Sequence, residues 1–219
     1  MDGGIGSFEL FDESLKQIET VNRLTLGYRP VLKWLQARLS PQPRPLTICD
    51  IGCGRGDLLR RIWALGQRKR VTLRLIGIDI NPWSAPTARN ATSPDVDIDY
   101  RTGDALTAEI ECDFIVCSNL AHHLSNDEIV SLIRRLETQA RRGWLICDLH
   151  RHLIPYIFAK LLLSVAPVND MVRNDGAVSV TRAFTAQDWR EILRQASMGA
   201  EVSWHFPFRY CLARNFATS

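Results

Sequence analysis

Lysine is scarce in this chain: four of its 27 cationic side chains are lysines and the rest are arginines. Against 24 carboxylates the net charge is +3, too little for a basic stripe of the kind that grips a nucleic-acid backbone. No stretch is long and apolar enough to span a bilayer, since the longest, Leu153 to Pro167, is short and carries Lys160 and two prolines. The opening Met-Asp-Gly-Gly-Ile-Gly has neither the basic start nor the apolar centre of a signal peptide. Repeats, low-complexity tracts and C-x-x-C pairs are missing as well. The six cysteines (49, 53, 112, 117, 147 and 211) form no regular framework, and four of them sit inside apolar runs. They read as reduced, buried thiols in a cytoplasmic protein with no integral membrane association and no metal.

Gly and Pro make up about a tenth of the 219 residues, and the hydrophobic fraction of 46% is ordinary for a folded domain. Apolar periodicity predicts two helices across Phe8 to Leu39, punctuated by Gly27-Tyr28-Arg29-Pro30. Three prolines between 41 and 45 then end the helical pattern, so residues 1–45 read as an appended helical cap. From Leu46 the rhythm becomes strand, helix, strand. Apolar runs at 46–52, 71–80 and 112–118 alternate with helical spacing, and a weaker strand lies at 97–103. Ser125 and Glu128 form a capping box ahead of a helix, and residues 143–149 make a further buried strand. Thr185 caps a last helix, and residues 201–214 read as two strands turning near Pro207. Continuously apolar strands alternating with helices mean a doubly wound α/β fold, a mostly parallel sheet covered on both faces.

In such sheets ligands bind at the carboxyl ends of the strands. Polar residues gather there: Asp50 to Asp57 after the first strand, Asp79 after the second, Asp104 after the third, Ser118-Asn119 and His122-His123 after the fourth, Asp148 to His150 after the fifth. Gly52, Gly54 and Gly56 allow a tight turn against a ligand. The spacing G-x-G-x-G is not the G-x-G-x-x-G of a dinucleotide fold, and flanking Asp50 and Asp57 disfavour a pyrophosphate while favouring a cationic ligand. Asp79, 23 residues past Gly56, is spaced to accept both hydroxyls of a ribose.

With these residues in hand, the segment Ile48-Cys49-Asp50-Ile51-Gly52-Cys53-Gly54-Arg55-Gly56 resembles the first motif of class I S-adenosylmethionine-dependent methyltransferases, a likeness that covers about residues 46–215. The resemblance implies a seven-stranded sheet ordered 3-2-1-4-5-7-6 and S-adenosylmethionine as cofactor. It puts Asp50, Gly52, Cys53 and Gly54 at the methionine end, beside Asp57. Asp79 would hold the ribose, with Ile80 against the adenine and Asp104 and Ala105 at the adenine amino group. Ser118 and Asn119 would run beneath the methionine, and Tyr28 and Arg29 would close over its carboxylate. Pro82 and Pro86 depart from the pattern and imply a short or kinked helix after the second strand.

The run after the fourth strand, Ser118-Asn119-Leu120-Ala121, lacks the Asn/Asp-Pro-Pro-Tyr/Phe of base-amine methylases and the acidic cluster of metal-dependent catechol-type enzymes. Leu120 to Leu124 and Asp175 to Thr185 instead look like bacterial small-molecule enzymes of natural-product or quinone-type metabolism. The expected reaction is methyl transfer to oxygen or carbon, less readily nitrogen, of a small apolar or aromatic metabolite. His123 is favoured as base, with His122 and His150 as alternatives. The helical cap at 1–45, as a lid, and an insert at 151–184 would together cover the site, and the insert's apolar residues would equally suit a homodimer interface. The rival readings are a catalytically silent cofactor-binding partner subunit and a nicotinamide-dependent oxidoreductase.

Overall fold

A computed structural model describes residues 6–216. Seven strands form one sheet: β1 (Leu46–Ile51), β2 (Leu73–Asp79), β3 (Asp99–Thr102), β4 (Cys112–Ser118), β5 (Ala140–Leu149), β6 (Glu201–His205) and β7 (Arg209–Asn215). Their order is β3-β2-β1-β4-β5-β7-β6, as the resemblance implied. All neighbours run parallel except β7, which is antiparallel to both β5 and β6.

Helices on both faces of the sheet explain why the central strands are mostly apolar. Side chains alternate across the sheet, and both faces are buried. Ile48, Leu75, Phe114, Val116 and Leu145 point to the layer made by α2 (Arg29–Gln36), α3 (Asp57–Lys69) and α4 (Ser84–Asn90). Cys49, Ile51, Ile76, Ile115, Trp144 and Ile146 point to α5 (Asn126–Gln139) and α8 (Ala186–Ala196) on the other side. All six cysteines are buried, free thiols. The predicted capping boxes are present at Ser125 with Glu128 and at Thr185 with Asp188. Helix α4 is short, as the prolines implied. Pro86 sits in its first turn, where a missing N–H breaks no helical bond.

The N-terminal segment divides in two. Helix α1 (Phe8–Leu24) leaves the sheet and crosses its carboxyl end, but α2 is part of the core. Val31 and Leu35 are fully buried, and Trp34 packs edge-on against Phe114 of β4 with ring centroids 5.5 Å apart. Of the helical cap expected over residues 1–45, α1 overlies the fold, while α2 packs into the core. The proline-rich connection is also fastened. Arg44 makes a two-pronged contact to buried Asp113 at 2.9 and 2.6 Å, and Thr47 N–H donates to the same carboxylate at 2.9 Å.

The insert between β5 and α8 folds as two packed helices, α6 (Leu153–Val165) and α7 (Asp170–Arg182). Gly176 lets them approach, because a Cβ there would fall 2.4 Å from Leu163 Cδ1. Helix α7 is tied back to α1: Asn169 N–H donates to Gln17 Oε1 at 2.7 Å, and Asn169 Nδ2 donates to Ser14 Oγ at 3.0 Å.

Candidate active site

A cavity of ≈ 470 Å³ opens over the carboxyl ends of β1, β2 and β4, under a roof supplied by α1, α6 and α7. Its floor starts at the glycine loop. The N–H groups of Gly52 and Cys53 both donate to Ile78 O, at 2.8 and 3.1 Å, which fixes the turn out of β1 against the end of β2. Gly56 ends the turn at φ 74°, and a Cβ there would lie 2.3 Å from the Tyr100 hydroxyl, so no other residue fits. The Gly54 N–H donates to Asp79 Oδ2 at 2.8 Å, and Asn81 N–H donates to Asp79 Oδ1 at 2.9 Å. The carboxylate is thereby held rigidly at the cavity wall.

Three acids surround this loop. Asp50 is 3% exposed, and burial, then the neighbouring Asp57 and Asp79, push its carboxyl well above the usual carboxylate range. Burial also raises Asp57, against a hydrogen bond from the Tyr28 hydroxyl that lowers it. One Asp57 oxygen, Oδ2, has no hydrogen-bond partner among the described residues. Tyr28 accepts from Asn22 Nδ2 at 2.9 Å, so the turn after α1 reaches the loop through a polar chain. A cluster of buried acids beside backbone N–H groups suits a ligand with vicinal hydroxyls and a positive charge, which would favour the acids' ionised form.

The opposite wall follows β4. Asn119 takes a left-handed conformation at φ 58°, its N–H donating to Cys147 O, and a short 3-10 turn at Ala121–His123 comes next. The His122 side chain is 3% exposed and its Nδ1 lies 2.7 Å from Asp148 Oδ1, while Asp148 Oδ2 accepts the His122 backbone N–H at 3.2 Å. Burial opposes ionisation of Asp148. The His122 ring, the Leu149 N–H and the charge of Arg209 more than offset it, holding the carboxyl below its ordinary range. A carboxylate at Nδ1 fixes the tautomer and leaves Nε2 as the basic nitrogen. The ring of His123 stacks on that of His122, centroids 4.3 Å apart.

Of the residues singled out from sequence, Tyr28, Gly52, Cys53, Gly54, Asp57, Asp79, Ile80, Ser118, Asn119, His122 and His123 line the cavity, and Asp50 is buried beneath it. Four do not meet there. Arg29 is exposed on the outer side of α2. Asp104 accepts Leu106 N–H at 2.8 Å and closes its own turn after edge strand β3, so it and Ala105 lie away from the cavity lining. His150 is drawn to the β7 side of the sheet, its N–H donating to Phe208 O and its ring against Tyr210 with centroids 4.8 Å apart. Asp148, two residues earlier, is bonded to His122.

Two cavity-lining residues, Arg209 and Asn22, were not singled out from sequence; the α1 face with Phe11, Leu15 and Ile18, expected in the helical cap, lines the cavity as well. Arg55 of the loop also reaches outward, meeting Asp12 at 3.2 Å and Glu19 at 3.3 Å on α1, and Glu19 meets Arg60 at 2.9 Å.

This sheet order, with an acid-flanked glycine loop at the end of β1, is the fold of class I S-adenosylmethionine-dependent methyltransferases, and residues 48–143 match the family profile described as a methyltransferase domain. Among characterised relatives, indolepyruvate C-methyltransferase of Streptomyces griseus is 35% identical over 104 residues, 44% of this chain and 29% of the relative. The match thus spans under a third of that relative's length. Magnesium protoporphyrin IX methyltransferase of Synechocystis PCC 6803, solved with bound S-adenosylhomocysteine, superimposes with a TM-score of 0.56 at 21% identity, covering 97% of this chain and 89% of that one. Human N-acetylserotonin methyltransferase, solved with S-adenosylmethionine, gives a TM-score of 0.67 at 15% identity over 97% of this chain and 57% of that one.

Proposed function

We propose that this protein transfers the methyl group of S-adenosylmethionine to a carbon or oxygen, less readily a nitrogen, of a small and largely apolar or aromatic metabolite. The observation that carries the reading is the union, in one cavity, of the acid-ringed glycine loop with the buried His122–Asp148 pair. Bound S-adenosylmethionine supplies an electrophilic methyl group on a sulfonium centre. The residues present fit that cofactor. Asp79, already pinned by two N–H groups, is the acceptor for ribose hydroxyls. Asp57, with one oxygen unpartnered, and Asp50 beneath it would face the cofactor's positive charge. Two buried carboxylates there speak against a pyrophosphate, hence against a nicotinamide cofactor.

The chain's contribution to the reaction is alignment and proton removal. Phe11 and Leu15 of α1, Phe158 and Leu162 of α6 and Val180 of α7 exclude water from the cavity and hold an apolar acceptor against the methyl donor. Alignment of this kind lowers a barrier by up to ~7–11 kcal/mol. His122 Nε2 takes the acceptor's proton, and Asp148 stabilises the imidazolium that results, for a gain of ~10²–10⁴-fold. This choice of base moves from His123 to its neighbour on the strength of the Asp148 contact. The methyl acceptor named for the Streptomyces griseus relative is an indolepyruvate carbon, which supports an acceptor whose C–H or O–H is acidic enough for a histidine.

Among the described residues no helix is long and apolar enough to cross a membrane. The reading places the enzyme in the cytoplasm, acting on a free metabolite and not on nucleic acid. Leu153, Ile154, Leu161 and Val165 on the exposed face of α6 are where a homodimer would form. The test is calorimetry with S-adenosylhomocysteine and NAD, followed by transfer of labelled methyl to a panel of aromatic 2-oxo acids, phenols and anilines. Binding of S-adenosylhomocysteine with labelled product supports the proposal. Binding without any turnover would leave a silent partner subunit, and NAD binding would overturn the cofactor assignment.

A further inference from the structure

Arg209 opens β7 at the cavity wall and is buried, 3% exposed. Arginine stays charged when buried, so a buried guanidinium needs partners for its fork of donors. Here the supply is thin. One Nη donates to Asn119 Oδ1, Nε has no partner, and among the described residues no carboxylate makes an ion pair with it. Asp148, whose carboxyl the charge of Arg209 helps to lower, is already committed to His122. The turn after α1 runs against the other side of the guanidinium: a Cβ on Gly27 would lie 2.8 Å from Nη2. The group is therefore clamped in place with a donor left over, which is costly unless a ligand completes it.

We propose that Arg209 is the carboxylate-binding residue of the cavity and that the methyl acceptor is an organic acid whose carboxylate it holds. The inference rests on the methyltransferase reading and extends it to the class of substrate. A planar fork with an unmade N–H is matched to a carboxylate in both charge and shape. Because the guanidinium touches Asn119 and the Gly27 turn, the amino-acid tail of the cofactor is the rival occupant that the test must exclude. Phe208, the residue before Arg209, packs on Phe158 of α6 with centroids 5.8 Å apart, so the guanidinium sits where the floor meets the apolar roof. It also lies close enough to Asp148 to help keep that carboxyl ionised. An acid seated on Arg209 brings the atoms near its carboxylate toward the His122–Asp148 pair, where a proton must leave.

The experiment uses the full chain. Calorimetry with S-adenosylhomocysteine comes first, and absence of binding there defeats the methyltransferase reading itself. The Nε–Hε signal of Arg209, assigned by its loss in Arg209→Lys, is then followed by 15N NMR. The ligands are S-adenosylhomocysteine, its decarboxylated analogue, and, on the saturated protein, phenylpyruvate and its methyl ester. The expected result is a shift with phenylpyruvate, none with the ester, and the same spectrum with either cofactor product. Arg209→Gln should weaken phenylpyruvate binding on the order of tenfold to a hundredfold while leaving the affinity for S-adenosylhomocysteine unchanged. Should that variant not fold, Arg209→Lys, which keeps the charge and loses the fork, is expected to weaken the acid in the same sense. Two results overturn the proposal: no response of the Arg209 signal to the acid, or a response to S-adenosylhomocysteine that its decarboxylated analogue fails to produce, which would give the carboxylate to the cofactor.

Discussion

Replacing Asp50 with asparagine should make the ligand-free protein more stable and the cofactor bind less well, and the two effects should separate with pH. Asp50 is buried under the glycine loop with Asp57 and Asp79 beside it, and its carboxyl is raised well above the usual range. A raised folded-state pKa means that the protonated form suits the fold. Its stabilising contribution is complete below the unfolded value near ~4 and is lost as pH rises through the folded value, at ~1.4 kcal/mol for each unit between them. Asparagine has nearly the shape of the protonated acid and does not ionise. Asp50→Asn should therefore be neutral at acidic pH and should raise stability by ~1–3 kcal/mol at pH 8, which is ~2–4 °C in Tm per kcal/mol for a chain of this size. With a cationic ligand the sign reverses, because the ionised acid then has a partner. Affinity for S-adenosylmethionine should rise with pH in the native protein. In the variant it should be flat and weaker by ~1.5–3 kcal/mol. Thermal melts at pH 5 and pH 8, with and without ligand, combined with calorimetry over the same range, read both quantities. A variant that melts lower than the native protein at pH 8 without ligand, while keeping the native pH slope of affinity, would refute the argument.

Asp79→Ala should weaken S-adenosylhomocysteine binding by ~2–3 kcal/mol, and calorimetry giving an unchanged affinity would remove the ribose assignment. His122→Ala should cut turnover by ~10²–10⁴-fold at neutral pH with cofactor affinity intact, the residual rate climbing as alkaline pH ionises the acceptor unaided; the same variant at His123 or His150 should lose far less. Asp148→Asn should lower the melting temperature at pH 7, and the gap to the native protein should close as pH falls below ~4, because a depressed folded-state pKa contributes only above that range. Deleting residues 1–25 should abolish turnover while circular dichroism still reports a cooperative fold, whereas deleting residues 1–40 should unfold the chain, since it removes Trp34 and Leu35.

The sheet was readable because its central strands are covered on both faces and are therefore mostly apolar; β4, buried throughout with Asp113 paired to Arg44, matched its expected bounds residue for residue. Edge strand β3 needs only Tyr100 inside, so its signal was weak and its observed span shorter. Helix α2 was grouped with the cap because amphipathic spacing shows that a face is buried without showing what covers it. The glycine loop and Asp79 were legible for a local reason: strand end, tight turn and helix start are consecutive. The rest of the site depends on distant pairings. Nothing near His122 marks it over His123, for the deciding acid is Asp148, on the neighbouring strand. His150, one residue past that strand, is claimed by its antiparallel partner β7 rather than by the cavity. Arg209 reads in sequence as an ordinary strand residue, and only the turn at Gly27 and Asn119 make it a buried one.

Arg55 belongs to the loop that grips the ligand and also holds Asp12 and Glu19 of the overlying helix, with Arg60 sharing Glu19. These side chains keep part of their surface in solvent, so added salt weakens the contacts, though less than it would a fully exposed pair. If spent cofactor leaves past α1, it parts the same charges that join roof to floor. The escape of product then carries an electrostatic barrier separate from the chemistry. Where escape is the slow step of the cycle, added salt speeds the enzyme instead of inhibiting it, and Arg55→Gln reproduces the acceleration in dilute buffer.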